Sequence, residues 1–114
     1  MDTLQVINTQ KSEFETLLDR DDIILQIAEN KDEEEIAIKS QVDRNIIHFY
    51  FCLDGSGIFA FGPHYSRVLE KQHNSFFYNP DMDLPFQLRL APQTRIVAFS
   101  IKLESLHKLF THDA

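Results

Sequence analysis

Ile46-Ile47-His48-Phe49-Tyr50-Phe51-Cys52-Leu53-Asp54-Gly55-Ser56-Gly57-Ile58-Phe59-Ala60-Phe61-Gly62 is the stretch on which the fold turns. β-Branched and aromatic residues run up to a glycine-containing turn, and a second such run follows at once. Residues of this kind suit a pleated, half-buried surface. Asp54-Gly55-Ser56-Gly57 tolerates positive φ and allows a tight reversal. The stretch predicts two antiparallel strands joined by a short turn. In a strand, alternate side chains face opposite ways. One row of the first strand is His48, Tyr50 and Cys52, polar enough to touch a ligand. The other, Ile47, Phe49, Phe51 and Leu53, is purely apolar.

Outward from this centre, short strands recur. Ser66 to Glu70 alternates. Ser75-Phe76-Phe77-Tyr78 is stopped by Asn79-Pro80. Phe86, Leu88 and Leu90 form the apolar row of a strand opened by Pro85. Pro92 ends that strand, and Thr94 to Ile101 forms the last one. Upstream, Ile23 to Ala28 and Ile36 to Lys39 read as two strands of a hairpin around the polar Lys31 to Glu35. Leu4 to Ile7 reads as an edge strand. Ser12-x-x-Glu15 has the form of a capping box, and Phe14, Leu17 and Leu18 follow at helical spacing, which predicts a turn or two of helix. Many short strands at intervals of roughly 8–12 residues predict an all-β sandwich or barrel. Leu103, Leu106, Leu109 and Phe110 return to helical spacing, with Glu104 early and Lys108 late, as a helix dipole prefers.

The chain of 114 residues fits one domain, with 43% hydrophobic residues and ten Phe to fill a core. Residues 1–45 hold 12 acidic and 5 basic residues, while residues 46–114 hold 6 of each, so the net charge of −7 sits in the first part. We read residues 1–45 as an acidic arm and hairpin, 46–101 as the β-barrel core and 102–112 as a C-terminal helix. An acidic surface repels nucleic acid, so no direct nucleic-acid contact is expected. A single cysteine, Cys52, rules out an internal disulfide and fits a reducing compartment. No apolar stretch reaches membrane-spanning length, and the amino terminus lacks the pattern of a secretory signal. A cytoplasmic protein with no membrane contact is expected. The chain stops after the helix without a polar tail, as though a longer protein continued.

The chemistry-bearing residues each have a plain alternative. His48 with Tyr50 has the spacing of two converging ligands, yet tyrosine stands where a metal site would want histidine or a carboxylate. A hydrogen-bonded pocket histidine is the better reading. Cys52 lies roughly 13–14 Å from His48 along an extended strand, too far for a nucleophile and its base. Gly55-x-Gly57 opens no helix and is not a phosphate loop. Asp32 to Glu35 lacks the alternation and glycine of a calcium loop and reads as a solvated tip. The chain is therefore expected to be no enzyme and to need no cofactor or metal.

Ile46 to Phe110 resembles the N-terminal, cupin-like regulatory domain of AraC-type transcription regulators. The residues that carry the likeness are His48 to Gly57, Asn74-Ser75-Phe76-Phe77-Tyr78-Asn79-Pro80, Leu84-Pro85-Phe86-Gln87-Leu88, and Ile96 to Phe110 with its Leu-x-x-Leu-His-x-Leu-Phe helix. The resemblance implies a cupin-like double-stranded β-barrel, or jelly-roll-like sandwich, that senses a small-molecule effector or pairs into a homodimer. DNA binding would belong to a separate domain absent from this chain. It also implies that the His48 row points into the barrel. The expected pocket is then lined by His48, Tyr50 and Cys52, by Phe59 and Phe61, and by the greasier row of the last strand, Val97, Phe99 and Ile101. It would be mainly apolar, suited to a small uncharged or weakly acidic molecule. Leu103, Leu106 and Phe110 are candidates for a dimer or helix interface, with an edge strand as the alternative. Metal-binding cupins carry a His-x-His pair, from which Tyr50 departs. Two other readings stay open: a stand-alone cupin that binds a small molecule, or a metal-dependent cupin enzyme using His48.

Overall fold

The computed structural model describes residues 14–20 and 22–111, with only the backbone of residues 109–111. Nine strands and one helix form among them: β1 (Glu15–Arg20), β2 (Ile23–Asn30), β3 (Ile36–Val42), β4 (Ile46–Asp54), β5 (Ser56–Ala60), β6 (Ser66–Glu70), β7 (Asn74–Phe77), β8 (Leu84–Leu90), β9 (Thr94–Lys102) and α1 (Leu103–Thr111). They build two antiparallel sheets, one of five strands in the order β1-β2-β9-β4-β7, the other of four in the order β3-β8-β5-β6. The expected fold class, mainly β with a short C-terminal helix and two facing sheets, is what forms. The core lies between the sheets, around Tyr50, Phe59, Phe77, Phe86, Leu88 and Ile96.

The strands fall where the alternation put them, but two pairings differ from the expectation. β4 and β5 are not a hairpin: β4 pairs with β9 and β7, whereas β5 pairs with β6 and β8 in the other sheet. The turn between them is a corner at which the chain changes sheets. Gly55 makes that corner possible. Its φ is +77°, and a Cβ there would lie 2.1 Å from Thr94 Oγ1. The same hydroxyl accepts from the Ser56 N–H at 3.1 Å and donates to the Ser56 carbonyl at 3.1 Å, so the corner is stitched to β9.

β2 and β3 are likewise not a hairpin. β2 lies between β1 and β9, and β3 pairs with β8 across the barrel. The residue that holds this crossover is Asn30, which is buried. Its Nδ2 reaches the carbonyls of Glu34, Leu90 and Ala91 at 2.8, 3.0 and 3.1 Å, and its Oδ1 accepts from the Asp32 N–H at 2.9 Å. It ties the ends of both sheets to the acidic connection. The division at residue 45 is accordingly not a structural one, because β2 and β3 are integral to the two sheets.

The turn of helix expected around Phe14 to Leu18 is a strand. β1 pairs with β2 through a bulge between Thr16 and Leu18. An isolated turn of helix gains one hydrogen bond for several fixed dihedrals, whereas pairing with β2 satisfies the backbone residue after residue. Ser12 and the proposed strand Leu4 to Ile7 lie outside the described residues. At the other end, α1 follows β9 directly. The Leu103 N–H donates to the Asn45 carbonyl at 3.1 Å, and Ser105 Oγ donates to Asp22, whose carboxylate also pairs with Lys102 Nζ at 3.3 Å.

Candidate functional site

On β4 the inward row is His48, Tyr50 and Cys52, and Phe49 and Phe51 face out, as the resemblance implied. The last strand runs in the opposite register to the expectation. Its inward residues are Ile96, Ala98 and Ser100, which stand opposite Cys52, Tyr50 and His48. Val97 and Phe99 lie on the outer face, where the Phe99 ring sits 6.1 Å from that of Phe49. Ile101 is buried, but beside Ile47 on that same outer face and outside the main core. The physical reason is volume. Tyr50 and three phenylalanines already crowd the space between the sheets, so the strand facing them presents a small residue, Ala98.

Phe59 and Phe61 do face inward, yet as packing. Ring centroids of Tyr50 and Phe59, and of Phe59 and Phe77, are 4.9 Å apart, and Phe61 lies 5.3 Å from Phe77 and 5.4 Å from Phe86. Rings at these separations and tilts attract one another beyond their buried area. Cys52 is wholly buried, its Sγ 3.2 Å from the Asp54 carbonyl. Burial, aided by Asp54, pushes its thiol above the ordinary range, which makes it a poor nucleophile.

The open space lies at the other end of the same row. A pocket of about 540 Å³ enters between the sheets, walled by His48, Tyr50 and Ser100 and rimmed by Gln26, Lys39 and Asp43. His48 is 5% exposed. The Asp43 backbone N–H donates to its Nε2 at 3.1 Å, which leaves the proton on Nδ1, 2.8 Å from Ser100 Oγ. The Asp43 carboxylate, which accepts from Gln41 Nε2 at 2.6 Å, stands 3.3 Å from His48 Nε2 and favours the charged ring. Burial opposes it and prevails, holding the His48 pKa below its ordinary 6.5. Protonation would also force the Asp43 N–H to face a second donor. Tyr50 is held well above its usual range, first by burial and then by Asp43. The wall is therefore a neutral imidazole beside a neutral phenol and a serine hydroxyl.

Ser100, Asp43, Gln26 and Lys39 were not among the residues singled out from the sequence. Ser100 lies on β9, on the face that alternation gives to Ala98 and that the pairing with β4 turns inward. Asp43 lies three residues before β4, in a bend marked by Asn45 with its φ of +63°. Of the interface candidates, Leu103 is exposed and Leu106 half-buried, and the Phe110 side chain lies outside the described residues. No helix among the described residues is long and apolar enough to cross a membrane.

Two facing antiparallel sheets joined by corner crossings, with a pocket at one mouth and a polar row of one central strand turned inward, define a cupin-like domain. Three solved structures share this fold. The Clostridium difficile EutQ protein superimposes with a TM-score of 0.58 at 8% identity, over 80% of this chain and 68% of its own. Protein NMB1881 from Neisseria meningitidis gives 0.50 at 8%, over 90% and 97% of the two chains. A cupin-2 domain-containing protein from Shewanella frigidimarina gives 0.50 at 8%, over 90% and 93%. No protein-family model and no curated protein sequence matches the chain.

Cupin folds raise the question of a metal. Among the described residues no three His, Cys, Asp or Glu side chains gather where an ion could be held. Both His48 nitrogens are turned to Asp43 and Ser100, and the next inward residue is Tyr50, a weak ligand while its phenol keeps its proton. The donor set does not fit a metal centre.

Proposed function

We propose that this chain is the effector-binding and dimerisation half of an AraC-type transcription regulator, with DNA binding carried by a separate domain. The observation that carries the reading is the pocket beside His48: a space of about 540 Å³ walled by polar groups, next to a core otherwise filled with aromatic rings. Ligand sites combine concave shape with a few fixed polar groups. The net charge of −7 suits a sensor half better than a DNA-contacting one. The role is binding and not catalysis, because the inward cysteine is buried with a raised pKa and the imidazole is held on both sides.

The lining shifts the ligand class toward a small polar, uncharged molecule. Gln26, Ser100 and His48 offer hydrogen bonds, while the acidic Asp43 and basic Lys39 at the rim balance each other. The mainly apolar pocket inferred from Val97, Phe99 and Ile101 does not form, since those side chains lie on the outer face. A thermal-shift screen of small polyols, sugars and amides tests the reading. A hit should raise the melting temperature of the wild type and lose at least ten-fold in affinity in Ser100→Ala. A hit unaffected by Ser100→Ala and His48→Gln would place the ligand elsewhere. A second reading is a stand-alone small-molecule-binding cupin, whose fold the cupin-2 domain-containing protein from Shewanella frigidimarina shares. Two helix-turn-helix patterns in the reading frame downstream would decide for the regulator.

A further inference from the structure

The five-stranded sheet is apolar on its outer face as well as its inner one. Across all five strands, in register, run Leu18 (β1), Leu25 (β2), Phe99 (β9), Phe49 (β4) and Phe76 (β7). Ile27, Val97 and Phe51 form a second row beside it. Leu18 is 42% exposed, Phe49 and Phe51 38%, and Phe76 51%. Solvent-facing strands ordinarily alternate to polar residues on this side.

We propose that this face is where a second copy of the chain docks, sheet against sheet. This goes with the pairing half of the function proposed above and names its surface. Area is the first argument. Taking roughly 200 Å² for a large side chain, the exposed parts of Leu18, Phe49, Phe51, Leu53 and Phe76 come to about 400 Å². That is near the apolar share of the ~800 Å² that each partner buries in a stable pair. Charge is the second. A two-fold interface sets each patch against itself, and the central residues here are uncharged. The charges lie at one end of the face, where Glu29 pairs with Arg95 at 3.1 Å and with Lys31 at 3.9 Å. A two-fold axis near the middle of the row brings Phe99 of one copy to Phe99 of the other.

Sedimentation equilibrium of the 114-residue chain at ~100 µM tests this. The wild type should be a dimer that tightens with added salt, since the copies carry like net charge. Phe49→Glu should weaken association on the order of 100-fold. Phe76→Lys, at the most exposed position of the row, should weaken it as well while leaving the circular dichroism and melting temperature unchanged. Phe99→Cys should cross-link copies on mild oxidation, whereas the wild-type Cys52, being buried, should not. A monomeric wild type overturns the proposal, whether the face is bare or meets another partner. So does a dimer that survives both charge substitutions in folded protein, or one abolished by Leu103→Glu but not by Phe49→Glu. His48→Gln lies on the opposite face and should leave the dimer intact, so failure of the ligand reading is read separately.

Discussion

On one side of β4, Phe59 sits 4.9 Å from both Tyr50 and Phe77 and 5.5 Å from Phe86. On the other side, toward β9 and β3, His48 and Ser100 face a pocket of about 540 Å³. Both sides meet one row of β4, so the difference comes from what stands beside and across from that row. Where β5, β7 and β8 send in phenylalanines, the interior is solid. Where β9 sends in Ser100 and β3 ends at the Asp43 turn, it stays open and polar. One strand can thus carry core and site together, provided that each buried polar group finds a partner. His48 finds two, on Ser100 and on the Asp43 backbone.

The packed side should be the more sensitive to truncation. Phe59→Ala removes the ring at the centre of the cluster and should cost about 3–5 kcal/mol in denaturant unfolding. A loss below about 1 kcal/mol would mean that the rings do not form one core. Asn30→Ala should come next, at about 1–3 kcal/mol, because it strands buried carbonyls of β8 and of the acidic connection. The loss should be shared by both sheets and appear as one cooperative transition. Two separate transitions would mean that Asn30 is no tie between them.

The open side should show itself in pH more than in overall stability. The folded-state pKa of His48 lies below 6.5, so the unfolded chain takes up the proton first. That stabilisation is present above about pH 6.5 and is lost as pH falls below it. The melting temperature should therefore drop between about pH 7 and 5.5, and less so in His48→Gln. Equal slopes in both proteins would assign the dependence to other groups.

Much of this was legible in the chain. Apolar runs and alternation placed eight of the nine described strands, β2 to β9, and helical spacing placed the helix at Leu103. The partners of β4 and β5 were not legible, because a strand–Gly–strand stretch reads alike as a hairpin or as a corner between sheets. Only the clash that any Cβ at Gly55 would make with Thr94 tells the two apart. The register of β9 was misread for a related reason. Choosing the greasier row assumes that one face of a sheet is wet, and here Val97 and Phe99 belong to a second apolar face. The pocket followed that error: Ser100 stayed hidden until Ala98 was seen to stand opposite Tyr50.

The central claim is that β4 turns a neutral histidine inward at the pocket wall. Nitrogen-15 NMR of the imidazole rings across pH 5 to 8 tests it most directly. The account predicts that His48 holds its proton on Nδ1 at pH 7 and is still mostly neutral at pH 6.5. A His48 that is mostly charged at pH 6.5, or that carries its proton on Nε2, would contradict it.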